Sequence, residues 1–477
     1  MTELQFTALL PYTMLAAASM IVILLIAFRA SHTVIQVVGF ILMCAVITAL
    51  LKVRELLPVS ILPLFEIDGF ALLFTGLIIF SVLFIGLFSY IYFEEREENP
   101  KEYYILLFLA TLGAAILTIS RHFISLFIGL EILSVSLYGL IAYLRNRNNA
   151  VEAGMKYLML AALSSSFLLF GMALIYMDTG SMEFAGIAQK TINAPTSSVL
   201  FMLGIGIIIV AVGFKLALVP FHLWAADVYQ GAPVPVTAFI ATVSKIGVFA
   251  VLIRFSLAIN LHRYPLVITV FSIIAIVSMV FGNLLALRQQ NIKRLLAYSS
   301  ISHFGYLLVA FLPGNTAGVE AGIFYLLSYS ITLLTAFGII TLLSTASKDA
   351  EDLSVYRGLF WKNPLLAGLL TIALFSLAGI PLTAGFLAKF FVLTTGVQQQ
   401  MWLPVAVLVL TSVIGLYYYL RIITTLFTDS GSIQTKDKSL HPFFYVATYA
   451  SLIVLVILLC WLGVFPGMVV ETVRQLL

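Results

Sequence analysis

Fourteen long apolar windows follow one another along this chain, with only short polar stretches between them. They run at about 9–28, 34–51, 70–93, 103–119, 123–144, 153–177, 199–223, 234–253, 264–287, 296–312, 319–344, 364–396, 402–427 and 443–463. An α-helix rises about 1.5 Å per residue, so about 20 apolar residues cross the hydrocarbon core of a bilayer. A soluble domain carries about a quarter charged residues; here 10% are charged and 62% hydrophobic. The expected fold is an all-α polytopic membrane protein of about 14 transmembrane helices. A soluble enzyme, a disordered chain and a nucleic-acid binder are excluded, and a net charge of +4 supplies no basic stripe. The N-terminus lacks a basic region followed by a cleavage site, so the first window reads as a retained span. Ser60–Ile67 is too short to span and reads as a re-entrant segment or a loop. The stretches at 178–197 and 428–442 cannot hold a domain, so residues 1–477 read as a single membrane domain.

Lys and Arg set orientation through short loops. Four of the 25 basic residues read as lying within spans, Lys156, Lys215, Lys245 and Lys389, with Arg421, six residues from the end of its window, counted with the following loop. Of the rest, fourteen lie on one side and seven on the other. The richer side includes Arg29, Arg96, Arg147, Lys293, Arg294, Lys436 and Lys438; the poorer includes Lys52, Arg121 and Arg254. This bias places both termini outside the cytoplasm, on the periplasmic side of a bacterial inner membrane. Cys44 and Cys460 lie inside windows and read as small core residues. No His/Cys cluster has metal-ligand spacing, so neither a metal nor a cofactor site is expected in this chain.

Two windows are interrupted by proline, at Pro220 and at Pro381. Proline lacks an amide donor and clashes with the carbonyl four residues back, which breaks a helix. Broken helices at matching positions in two halves point to repeats of inverted topology with an ion path between them. The breaks fall in windows 7 and 12, each the fourth of a five-helix unit. Repeat one spans about 103–253 and repeat two about 264–427. Helices 1–3, at about 9–93, and a C-terminal helix at about 443–463 lie outside the repeats.

An ionised side chain at mid-bilayer costs about 2.5–3.5 kcal/mol on insertion scales. Glu131 sits eight residues into the fifth window, about 12 Å deep. Lys215 stands five residues before Pro220, Lys245 is central in window 8, and Lys389 follows Pro381 by eight residues. Lys156 is only three residues into its window, beside Glu152, where snorkelling to the surface is a rival reading. A free lysine titrates near 10.4, but desolvation favours the neutral amine and a nearby carboxylate favours the charged one. A buried lysine whose acidic partner moves therefore loads and releases a proton near neutral pH. Glu131 is the natural counter-charge. His222 and His303 read either as proton relays or as hydrogen-bonded structural histidines. Asp227 reads as a ligand for amides freed by the first break, and Asp68 as a helix N-cap. Glu320 reads as interfacial, Glu94–Glu98 as a solvated charge run, and Tyr417–Tyr419 as packing or interfacial residues.

Several segments carry a resemblance. They are Pro220-Phe221-His222-Leu223-Trp224, Asp227-Val228-Tyr229-Gln230-Gly231-Ala232-Pro233, Asn291-Ile292-Lys293-Arg294-Leu295 through His303, Tyr356-Arg357-Gly358-Leu359-Phe360 and Leu377-Ala378-Gly379-Ile380-Pro381. The chain resembles the antiporter-like membrane subunits of respiratory complex I, the proton-pumping NADH:quinone oxidoreductase, and most of all bacterial subunit N. Where the family usually has proline before the aspartate, this chain has Ala225-Ala226-Asp227. The resemblance places the family's key glutamate on Glu131 and its lysines on Lys156, Lys215, Lys245 and Lys389. It implies a translocase acting within a complex, with NADH, FMN, iron–sulfur clusters and quinone in other subunits. The implied partners are an adjacent antiporter-like subunit, small membrane subunits and the lipid bilayer. The alternative is a subunit of a related multi-subunit proton/sodium antiporter.

Overall fold

The computed structural model describes residues 2–94, 96, 100–192, 198–428 and 442–476. Among them, twelve helices are long and apolar enough to cross a membrane. After a short α1 (Glu3–Ala8) the first are α2 (Leu10–Ala27), α3 (His32–Val53), α4 (Gly69–Glu94), α5 (Glu102–Ile119), α6 (Phe123–Ile141) and α7 (Asn148–Thr179). The stretch at 178–197 holds a short α8 (Phe184–Ile192). The seventh window is split into α9 (Val199–Leu216) and α10 (Leu223–Gly231). The eighth comprises α11 (Val234–Phe239), a π-helical turn at Ile240–Ser244 and α12 (Lys245–Ala258). Next come α13 (Pro265–Leu287), α14 (Ile292–Phe311), α15 (Thr316–Leu343) and a short α16 (Leu359–Lys362). The twelfth window is split into α17 (Pro364–Ala378) and α18 (Ala384–Gln398), followed by α19 (Trp402–Phe427), α20 (Pro442–Val464) and α21 (Gly467–Leu476). Each of the fourteen windows thus holds a helix or a pair of half-helices.

The short Ser60–Ile67 stretch is a loop, not a re-entrant segment: β1 (Val59–Ile61) and β2 (Phe65–Ile67) pair antiparallel, with Val59 opposite Ile67. Residues 429–441, which include Lys436 and Lys438, lie outside the described residues, as do Glu95, Glu97 and Glu98. Cys44 and Cys460 are partly buried free thiols.

Side-chain caps start many of the helices, as the unpaired first-turn amides require. Asp68 accepts from the Ala71 amide at 2.8 Å, Asn291 from Lys293 and Arg294, Asn315 from Gly318 and Asn363 from Leu366. Asp68 also receives both terminal nitrogens of Arg254, at 3.0 and 2.7 Å.

Both chain ends gather on one face. The Gln5 side chain donates to Ser60 O, Leu476 lies against Gly69, and Arg474 pairs with Glu320 at the start of α15. This is the terminal face; the opposite, far face carries the turns before α5, α7, α11 and α14. Helix pairings repeat along the chain. The α5 and α6 helices pack side by side, as do α13 and α14, while α7 packs on α9 and α15 on α17 and α18. Glycine makes the first two contacts close. A Cβ on Gly113 would stand 2.5 Å from Leu133 N, and one on Gly282 would stand 2.7 Å from Ser302 N. Backbone cannot yield to such a contact without a shift. Gly113→Val is expected to destabilise the chain by about 1–3 kcal/mol, read as a lowered thermal midpoint.

Candidate functional site

The two breaks share one construction. In the first, Ala217 adopts a left-handed conformation (φ 59°) and Leu218 N donates to Gly213 O at 2.8 Å. In the second, Gly379 is left-handed (φ 84°) and Ile380 N donates to Phe375 O at 2.9 Å. These six-to-one bonds close each half-helix in the Schellman manner, with proline following soon after. The α9 half runs inward from the terminal face, whereas α17 runs inward from the far face.

A helix end leaves its last carbonyls unpaired and negative. At the second break a lysine meets that need: the Lys389 amine donates to Leu377 O at 2.9 Å and to Ala378 O at 3.0 Å. Its stem lies against Gly379, where a Cβ would stand 2.9 Å from Lys389 Cδ. Lys215, one turn before the first break, donates to Ser134 Oγ on α6 at 2.7 Å. Lys245 is the first residue after the π-helical turn, a feature frequent at functional sites. It donates to Ser300 Oγ at 2.5 Å and lies 4.4 Å from the Phe304 ring centre. These three lysines are 6%, 1% and 8% exposed in the order 215, 245, 389. Among the described residues, no carboxylate oxygen lies within 4.0 Å of any of the three amines.

Small polar groups lie between and around them. Ser165 Oγ donates to Glu131 Oε1 at 2.5 Å. Ser164, Ser165 and Lys215 stand in the wall of an otherwise apolar cavity of about 20 Å³. Tyr229 OH stands 3.5 Å from Ser300 Oγ, linking to the Lys245 partner. His303 lies between two tyrosines, its Nδ1 2.7 Å from Tyr325 OH and its Nε2 3.2 Å from Tyr419 OH. Tyr419 OH also makes a short bond to Ser299 Oγ. His303, Tyr325 and Lys389 line a second small cavity of about 10 Å³.

The structure brings Lys215, Lys245, His303 and Lys389 into the buried interior and modifies several expectations. Glu131 is not ion-paired with Lys215; its carboxylate binds Ser165, and Ser165 and Lys215 share the first cavity. Lys156 is not buried: at 44% side-chain exposure it reaches the surface, pairing with Glu152 at 2.7 Å and Asp227 at 2.9 Å. The physical reason is the side of α7 it occupies: it lies on the outward face with the exposed Met155 and Met159, where Glu152 one turn earlier and Asp227 pair it. Asp227 caps no amide among the described residues; it sits between Lys156 and Arg294, the latter at 2.7 Å. His222 is buried but makes no hydrogen bond to these lysines, and its Nδ1 has no partner among the described residues. Arg96 is not simply solvated, since its guanidinium lies 3.9 Å over the Tyr92 ring. Sequence reasoning also missed the serine and tyrosine partners, which single polar residues inside apolar windows could have flagged.

A second buried charge cluster lies outside the spans. Lys293, counted above as a loop residue, is fully buried and donates to Ala232 O at 2.7 Å and to Asp349 at 3.1 Å. Asp349 also receives Arg147 at 3.1 Å and Tyr92 OH at 2.7 Å. Burial works to raise this carboxyl; Lys293, the Tyr92 hydroxyl, Arg147 and Arg96 outweigh it and hold it at about 2.

Paired broken helices, with lysines buried beside them and bonded to hydroxyls and carbonyls, define a class: polytopic membrane proteins with an internal polar route for a small cation. The NADH:quinone oxidoreductase/Mrp antiporter transmembrane family matches residues 120–415, and the chain belongs to that family. It is similar to a chain of respiratory complex I from Thermus thermophilus, at 32% identity over 97% of this chain and 98% of that one, with a TM-score of 0.82. It is also similar to a chain of the membrane-bound sulfane sulfur reductase, an archaeal respiratory membrane complex, at 27% identity over 98% and 96%, with a TM-score of 0.85. A chain of the Mrp complex from Dietzia sp. shares the fold at 21% identity over 99% and 96%, with a TM-score of 0.84.

Proposed function

We propose that this chain is the proton-translocating membrane subunit of an NADH:quinone oxidoreductase of the complex I type, closest in kind to bacterial subunit N. Protons move through Glu131, Lys215, Lys245, His303 and Lys389, driven by electron transfer from NADH to quinone in other subunits. Those subunits hold FMN and the iron–sulfur clusters. The observation that carries this reading is the burial of three lysines with no carboxylate partner among the described residues. Each amine rests on oxygen acceptors that water or a second amine can replace, so proton loss leaves no stranded counter-ion. Lys156 is assigned to the ion cluster that holds α10, outside the row. Glu131, partly exposed between α6 and α7, supports a neighbouring membrane subunit on that face, because a carboxylate facing lipid is costly. The matching breaks and helix pairings support two inverted five-helix repeats. The terminal face is taken as periplasmic in a bacterial inner membrane. Moving one charge against the membrane potential costs about 2.3 kcal/mol per 100 mV, which redox chemistry elsewhere must supply.

The higher identity to the complex I chain favours this reading. The equally close fold of the Mrp chain keeps a second one, a subunit of a proton/sodium antiporter. Purification of the tagged chain in mild detergent separates them. The first reading expects NADH-oxidising, iron–sulfur-containing subunits in the same particle. An assembly without NADH oxidation or iron–sulfur signals would instead favour the second.

A further inference from the structure

Two facing stripes lead from the Lys389 pocket toward the terminal face. On α15, Thr332, Ser328, Tyr325, Ala321 and Ala317 recur every three or four residues and share one helix face. On α18, Gly385, Ala388, Phe391, Thr395 and Gln398 do the same. The inner part of each stripe lines the pocket that holds Lys389 and His303. The outer part lines a separate cavity of about 180 Å³, room for several water molecules. The Phe324 and Phe391 rings line the outer cavity, one residue before Tyr325 and three after Ala388 of the inner pocket, and meet edge to face with centres 5.1 Å apart. The outer cavity is roofed by α21, whose Val470, Val473 and Arg474 line it. Glu320 stands in this cavity, 18% exposed, and accepts from Arg474 Nε at 2.9 Å. Thr394, Thr395 and Gln398 add polar wall.

We propose that the α15–α18 seam is the outlet of the proton route: a hydrated vestibule under α21, shut off from Lys389 by the Phe324–Phe391 pair, with Glu320 as its last proton-carrying group and Arg474 as the latch. The inference rests on the proton-translocating reading above and adds to it a barrier, a terminal carboxylate and a lid. The physics is direct. A proton leaving Lys389 needs a chain of oxygens to reach water, and the seam supplies polar walls on both sides of a single apolar constriction. Such a constriction blocks a water thread by dewetting and passes one when the rings part. The Arg474–Glu320 bond ties α21 to α15, so a shift of the lid and a change in the carboxylate's charge are coupled.

Thiol labelling in membranes containing the assembled complex tests the route. In a Cys44→Ala, Cys460→Ala background, Thr395→Cys reports the vestibule and Ser328→Cys the inner pocket. A membrane-impermeant maleimide added from the terminal face is expected to label Thr395→Cys. It is expected to label Ser328→Cys at least about tenfold faster once Phe391→Ala is added, a barrier change of about 1.4 kcal/mol. An unlabelled Thr395→Cys, or a Ser328→Cys rate indifferent to Phe391→Ala, would overturn the outlet. Glu320→Gln is expected to slow proton transport roughly 100-fold, the low end for a positioned proton-transfer group, with Glu320→Asp restoring it. Unchanged transport in Glu320→Gln would overturn the carboxylate's role. Labelling does not depend on transport, so it reports the outlet even if loss of Lys389 proves harmless and the functional reading fails.

Discussion

Lys245→Met is expected to yield a chain that is more stable than its parent and carries no protons. Lys245 is 1% exposed, and its amine meets one hydroxyl and the faces of the Phe304 and Tyr229 rings. A lysine at mid-membrane costs about 2.5–3.5 kcal/mol on insertion scales. Methionine fills nearly the same volume without that cost, and the hydroxyl it leaves, Ser300, still has Tyr229 at 3.5 Å. The thermal midpoint of the solubilised protein should therefore rise, by the equivalent of about 2 kcal/mol. Proton transport should fall by about 100-fold or more, the scale of a lost proton-transfer group. The combination is diagnostic. A lysine kept for packing would lose stability when replaced, and transport would fall only as far as the fold did.

Asp349→Asn is expected to act with the opposite sign. Here the charges lie outside the spans and are fully paired, so removing one partner strands the others. Lys293, with no exposed surface, would keep only Ala232 O, and Arg147 would lose its carboxylate. Breaking a buried pair in this way costs about 3–5 kcal/mol. The pH dependence follows from the lowered carboxyl. Its folded value of about 2 lies below its ordinary 3.8, a difference of about 2 kcal/mol. That stability is present above about pH 4 and is lost as pH falls through about 2. Thermal melts should show a large drop for Asp349→Asn at neutral pH. The gap between parent and variant should narrow, by about 2 kcal/mol, as the medium is acidified. Equal midpoints at neutral pH would mean that Lys293 finds another partner.

The contrast between these clusters explains what the sequence could and could not announce. Apolar windows report contact with lipid or core, so all fourteen helices were legible, and Pro220 and Pro381 announced both breaks. The depth of Lys215, Lys245 and Lys389 followed from their place in those windows. Windows carry no information on partners, however. Ser134, Ser300, Tyr325 and Tyr419 reach the row from helices far away in sequence, and only packing brings them there. Counting Lys293 and Arg254 by loop treated them as solvated, yet one is fully buried and the other holds Asp68 across helices. The π-helical turn before Lys245 has no local signal, because every residue from Ile240 to Ser244 suits an ordinary helix. The left-handed Ala217 was equally silent, since glycine is the usual residue there. Lys156 failed for a simpler reason: a window gives depth but not which face of α7 looks outward, and Lys156 shares the outward face with Met155 and Met159.

Proton uptake by liposomes holding the assembled complex, measured as an initial rate beside the rate of electron transfer, bears most directly on the row of buried amines. Parent, Lys215→Ala and Lys389→Ala particles of equal subunit content are compared. The account predicts that each substitution sharply lowers the protons moved through this subunit while the chain stays assembled. Proton uptake per electron equal to the parent's in both variants would contradict it.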